Sequence, residues 1–76
     1  MKPDKILDIR GEVCPYTFVK SKLAIEQLRS GQILEIIVNH LPAVENVPRS
    51  LENEGHKILE VKNVSDEDWH IFVKKS

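Results

Sequence analysis

Cysteine is almost absent from this chain: one residue in 76, so no internal disulfide can form. That suits a reducing compartment. Charge of one sign is also missing, because 11 Lys and Arg face 12 Asp and Glu for a formal net charge of -1. A protein that binds nucleic acid by phosphate attraction needs a basic excess that this chain does not have. Aromatic residues make up only 5%, too few to suggest a platform for stacking bases. No apolar run approaches the length that spans a bilayer. The opening Met1-Lys2-Pro3-Asp4-Lys5 is polar and leads straight into a strand-like segment, so no signal peptide is expected. The expected location is the cytoplasm. No phosphate loop, dinucleotide fingerprint or paired-carboxylate site is present, and His40, His56 and His70 are dispersed without metal-motif spacing.

What is there is a compact alternation of elements. Residues 1–76 fit one domain, which at this size buries only about 60% of its unfolded surface. Strand-like segments fall at residues 6–10, 32–39, 57–64 and 69–75. Helix-like segments fall at residues 15–29, stopped by Ser30-Gly31, and within residues 43–54, ending at Gly55. Pro48 lies inside the second, so its true α-helix is expected to start near Val47. The order βαβαββ predicts an α/β (α+β) two-layer sandwich. A four-stranded mixed sheet should carry two helices on one face, with the first two strands parallel and the last two a hairpin. The expected core face carries Leu7, Ile9, Leu34, Ile36, Val38, Leu59, Val61, Trp69, Ile71 and Val73. The other face mixes Asp8, Arg10, Glu35, Glu60, Lys62 and Lys74 with Ile33, Ile37, Ile58 and Phe72. A mixed face of this kind is ordinary for a sheet open to solvent.

The candidate site is the lone cysteine. In Ile9-Arg10-Gly11-Glu12-Val13-Cys14-Pro15-Tyr16-Thr17, a strand runs through a glycine turn into a helix. This reads as Cys14 at the N-cap and Pro15 at the first helical position, where its fixed φ suits a helix. Unpaired N–H groups and the positive dipole end there favour thiolate over thiol. Gly11 is expected to allow close backbone approach. Arg10, Lys20 and Lys22 are expected to add positive potential. His40, after the second strand, is the candidate nearby base, since parallel strands bring their C-terminal ends together. The opposing account of Cys14 is a small buried hydrophobe.

The first helix has two apolar faces. Phe18, Ser21, Ala24, Ile25 and Leu28 recur at core spacing. Tyr16, Val19 and Leu23 lie about 100–180° away and form a strip leading to Cys14. That strip, with Pro15, Thr17 and Lys20 around it, is the candidate docking surface for whatever protein exchanges cargo with Cys14. With no resolving cysteine and no triad, a self-contained enzyme is not expected. A lone activated thiol on a small domain fits a carrier that holds sulfur as a persulfide and passes it by thiol exchange.

Residues 7–15, Leu-Asp-Ile-Arg-Gly-Glu-Val-Cys-Pro, resemble the opening signature of the TusA-like (SirA-like) sulfur-carrier family. The likeness continues in Gly31-Gln32-Ile33-Leu34-Glu35-Ile36, in residues 42–48 and in Glu54-Gly55-His56. It implies a persulfide carrier on Cys14 with a sulfurtransferase-type relay and no resident cofactor. The donor would be a cysteine desulfurase or rhodanese-type sulfurtransferase, and the acceptor another sulfur-relay protein. The family's usual Cys-Pro-x-Pro is here Cys14-Pro15-Tyr16-Thr17. Thr17 restores an N–H and adds a hydroxyl expected near the thiolate, and the change leaves partner set and pathway open. Two other readings stay open at this point. One is a monothiol redox protein, since Cys-Pro-Tyr-Thr resembles a glutaredoxin site without its second cysteine. That fold needs a cis-proline before a strand and a terminal helix, which Val47-Pro48 and the C-terminal strand do not supply. The other is a regulatory or nucleic-acid-binding module with an incidental cysteine.

Overall fold

Leu34, Ile36 and Val38 alternate with half-buried neighbours and form the inward face of the central strand. The computed structural model describes residues 2–13 and 15–76. Expectations that fall on Cys14 itself therefore lie outside the described residues. In chain order the elements are β1 (Lys5–Asp8), α1 (Tyr16–Glu26), β2 (Ile33–Val38), α2 (Leu41–Asn53), β3 (Lys57–Asn63) and β4 (Trp69–Lys74). The four strands lie in the order β1-β2-β4-β3. β1 and β2 are parallel, while β4 runs antiparallel to both β2 and β3. This is the α+β sandwich expected, with both helices on one face.

The core lies between those layers. Ile9, Leu34, Ile36, Val38, Ile71 and Val73 pack with Ala24 and Ile25 of α1 and with Ala43, Val47 and Leu51 of α2. Phe18 and Leu28 join the cluster half-buried, as their helical spacing indicated. Thr17 is buried as well and was not among the expected core positions.

Three expectations about the elements need correction. α2 does not start near Val47: it runs unbroken from Leu41 through Pro48, with Pro42 in its first turn. Ala43, Val47 and Leu51, spaced four apart, are all fully buried. Their packing holds the helix across a proline that supplies no N–H. The helix closes with the His56 N–H on the Leu51 carbonyl (3.1 Å) and the Gly55 N–H on that of Glu52 (2.9 Å). This double-bonded stop requires a left-handed residue, and Gly55 has φ +100°. α1 is shorter than expected and starts at Tyr16, with Pro15 as its N-cap.

The third correction is in β3. Ile58 pairs with Val73, but Glu60 pairs with Phe72 and Val61 with Ile71, so a bulge falls between Ile58 and Glu60. One extra residue reverses the alternation on that side. Ile58, not Leu59, shares the core-facing row with Val73 and packs on the core. Val61 shares the row of Ile71, yet it is exposed. Phe72, on the face away from the helices, is nevertheless buried. His70 on that face pairs with Glu35.

Candidate functional site at the β1–α1 turn

The turn after β1 is fixed bond by bond. The Ile9 N–H donates to the Ile37 carbonyl at 2.9 Å, which extends the parallel ladder one residue past β1. Ile9 itself is buried. The Arg10 N–H donates to Asp8 Oδ1 at 3.1 Å. The Gly11 N–H donates to Asn39 Oδ1 at 2.8 Å. The Glu12 N–H donates to the Ile9 carbonyl at 3.2 Å. Gly11 has φ +90°, a left-handed conformation that disfavours side chains. A Cβ there would meet no atom of the described residues within 4 Å. Among the described residues the glycine is needed for its backbone angle, and the expected close approach to Cys14 lies outside them.

From Val13 the chain enters α1. The N–H groups of Tyr16 and Thr17 donate to the Val13 carbonyl at 2.9 and 3.3 Å, and that of Val19 to the Pro15 carbonyl at 3.1 Å. These N–H groups at the helix start therefore already have the Val13 and Pro15 carbonyls as acceptors, and how the start of α1 faces Cys14 lies outside the described residues. The first turn of α1 holds no acidic residue, so no carboxylate there opposes an anion at the dipole's positive end. Thr17 is fully buried beneath this turn.

The basic residues do not form the expected positive field. Arg10 holds both carboxylate oxygens of Asp8 (Nε to Oδ1 3.0 Å, Nη2 to Oδ2 2.8 Å) and reaches Asp68 in the β3–β4 loop at 3.2 Å. Its hydrogen bonds to Asp8 hold that carboxyl below the usual range and raise the guanidinium further. Lys20 pairs with Glu12 at 2.8 Å and Lys22 with Glu54 at 3.3 Å. Each cation is matched by a carboxylate, so local charge nearly cancels.

The apolar strip is on the surface. Tyr16 is 60% exposed, Val19 45% and Leu23 56%. Val13 (51%) precedes the site and Leu41 (66%) opens α2, and the sequence reading singled out neither. Pro15 is exposed too. These exposed aliphatic and aromatic side chains lie on one helix face, outside the core that the other face builds.

The sequence profile described as "Sulfurtransferase TusA" matches residues 5–75. The chain belongs to the TusA family. An Archaeoglobus fulgidus protein named "Putative sulfur carrier protein" is 51% identical over 99% of this chain and 85% of its own length. A Thermotoga maritima protein of the same name is 37% identical over 92% of this chain and 89% of its own. Among solved structures, a SirA-like protein from Desulfitobacterium hafniense superposes with a TM-score of 0.82 at 20% identity. That match covers 92% of this chain and 95% of the other, and it shows a common fold. A general sulfur-carrier role agrees with the family match and with the names of the two sequence relatives. The thioredoxin-like alternative required a strand after Pro48, and Pro48 lies inside α2.

Within this TusA-family fold, the end of β2 reaches the turn through Asn39, while the expected nearness of His40 to Cys14 lies outside the described residues. His40 is the N-cap of α2, and its side chain makes no capping bond. Asn39, one position earlier, bonds Gly11. The signal available in sequence was an amide residue directly after an alternating strand, too common to single out. The other histidines are elsewhere: His56 Nδ1 accepts from the Ser76 N–H at 3.2 Å, and His70 is on the helix-free face. No helix among the described residues is long and apolar enough to cross a membrane.

Proposed function

We propose that Cys14 carries sulfane sulfur as a persulfide, taking it from a donor sulfurtransferase or cysteine desulfurase and passing it to an acceptor protein. The observation that supports this reading most is the family match across residues 5–75, with Cys14-Pro15 between a pinned turn and α1. The transfer balances without an added oxidant. The Cys14 thiolate attacks the outer sulfur of a donor persulfide, that donor's S–S bond breaks, and the donor leaves as thiolate. The same exchange in reverse loads the acceptor. The start of α1, free of first-turn carboxylates, favours the anionic sulfur before and after loading. Tyr16, Val19 and Leu23 form the surface on which donor and acceptor dock, with Pro15 and Lys20 at its rim and buried Thr17 beneath it. Arg10 serves the turn by binding Asp8 and Asp68. The cargo is the sulfur itself, and no resident cofactor takes part. The exchange runs in the reducing cytoplasm, where Cys14 stays a free thiol between transfers.

The test is intact-protein mass spectrometry after incubation with a cysteine desulfurase and cysteine. Wild type should gain one or more sulfur atoms, removable by reductant, and Cys14→Ser should gain none. Failure of wild type to gain sulfur from any sulfane donor overturns the proposal. A glutathione adduct on Cys14 in that case points to monothiol redox chemistry.

A further inference from the structure

The geometry points to Asn39 as a positioning residue for Cys14, an assignment that rests on the carrier reading above. Between β1 and Val13, three consecutive N–H groups are each held by a named acceptor: Arg10 by Asp8, Gly11 by Asn39, and Glu12 by Ile9. Two of those acceptors belong to the turn's own strand end, residues 8 and 9. Asn39 alone comes from outside this turn, 28 positions away. It lies one residue past the end of β2, whose Ile37 carbonyl already takes the Ile9 N–H. The backbone ladder ends there, and the asparagine side chain adds one further cross-strand bond at the point where Gly11 turns left-handed.

That bond ties the turn leading to Cys14 to the central strand of the sheet. Without it, the Gly11 N–H has no acceptor from β2's end, and Arg10 keeps only its side-chain reach to Asp68 as a distant restraint. A persulfide exchange needs three sulfurs near a line, so a wandering attachment point lowers the rate at which productive geometry occurs. Asn39 touches neither sulfur nor partner in this account. It acts through the Gly11 N–H.

Two substitutions separate this from a general structural role. Asn39→Ala removes the acceptor, and Asn39→Asp keeps an acceptor oxygen at the same reach. Three quantities are read in wild type and both variants. These are the hydrogen-exchange rate of the Gly11 amide, the pH profile of Cys14 alkylation by iodoacetamide, and sulfur uptake from a desulfurase at the alkaline plateau where the thiol is ionised. In Asn39→Ala the Gly11 amide should exchange faster, and plateau uptake should fall about three- to tenfold, the scale of one lost hydrogen bond. In Asn39→Asp, Gly11 protection and plateau uptake should stay within about twofold of wild type, while the alkylation profile moves to higher pH beside the new carboxylate. Unchanged plateau uptake in Asn39→Ala overturns the proposal, as does equal slowing in both variants. If wild type takes up no sulfur at all, the carrier reading fails instead. Gly11 exchange and the alkylation profile still decide whether Asn39 positions the thiol.

Discussion

The two helices cover the same sheet face, yet they are built differently. Past the exposed Leu41 at its start, α2 separates its residues cleanly. Ala43, Val47 and Leu51 are fully buried, while Glu45, Arg49 and Glu52 face water, with Glu45 and Arg49 forming an i,i+4 pair. α1 is apolar on both sides: Ala24 and Ile25 are in the core, while Tyr16, Val19 and Leu23 are in solvent. A helix needs only one apolar face to fold onto a sheet. The second face of α1 lies outside the core, and in the function proposed above it is the face that partners touch. It starts at the residue that follows Cys14-Pro15. α2 is a structural helix, and α1 is structural on one side and presents a surface on the other.

The sharpest way to break this comparison is to truncate one leucine from each helix. Leu51→Ala removes a fully buried side chain and should cost about 2–5 kcal/mol. A domain of this size has roughly 4–11 kcal/mol in total, so the variant should be close to unfolding at 37 °C. Leu23→Ala, from an exposed site, should stay within about 0.5 kcal/mol of wild type. Urea titration of both variants reads the difference. Equal losses would place Leu23 in the core and remove the second face of α1.

Leu23→Asp asks the complementary question. A charge in the apolar strip should slow sulfur uptake from a donor protein by about tenfold, the scale of one interface anchor, with the urea midpoint unchanged. Uptake from a small persulfide should not change, because nothing docks. If both donors slow equally, the strip is not a docking surface.

Much of this was legible in the chain because the relevant signals are periodic. The alternation of Leu34, Ile36 and Val38 and the helical recurrence of Ser21, Ala24, Ile25 and Leu28 report burial directly. The strip at Tyr16, Val19 and Leu23 was visible for the same reason. The misses all depend on particular three-dimensional partners. Pro48 survives inside α2 because Val47 and Leu51 are pinned by the core, which no local rule contains. The β3 bulge shifts Ile58 inward by one inserted residue, and the strand's own composition does not announce it. Arg10, Lys20 and Lys22 looked like a positive field because their carboxylate partners lie up to 58 residues away. Asn39 was passed over because its importance consists of one bond to Gly11. Periodicity reveals layers, whereas pairing needs the fold.

The pairing at the base of the site is the next target. Asp8 has its pKa lowered by the Arg10 side chain and then by the Arg10 N–H. A carboxylate with a depressed folded-state pKa contributes stability that is present above its unfolded value near 3.8. That contribution is lost as pH falls through the folded value. Arg10→Ala should therefore lower the melting temperature slightly at pH 7, and the gap should close towards pH 2. Because these groups are exposed, 0.5 M salt should narrow the gap as well. A gap that persists at pH 2 would mean that Arg10 acts by packing and not by charge.

The smallest effect belongs to the C-terminal end of α2. His56 follows the Gly55 stop, and its Nδ1 accepts the Ser76 N–H, so the ring is bonded in its neutral form. Burial, and then the charge of Lys75, hold its pKa below the ordinary 6.5. The unfolded chain therefore binds the proton more readily than the folded one, and stability rises with pH across this range. The contribution is fully present above pH 6.5 and is lost as pH falls below it, so the melting temperature should dip modestly from pH 7 to pH 5. His56→Gln should flatten that dip while leaving Cys14 alkylation unchanged at every pH. If alkylation moved with it, the stop of α2 would be coupled to the turn at Gly11. The division between a structural helix and a presenting one would then no longer hold.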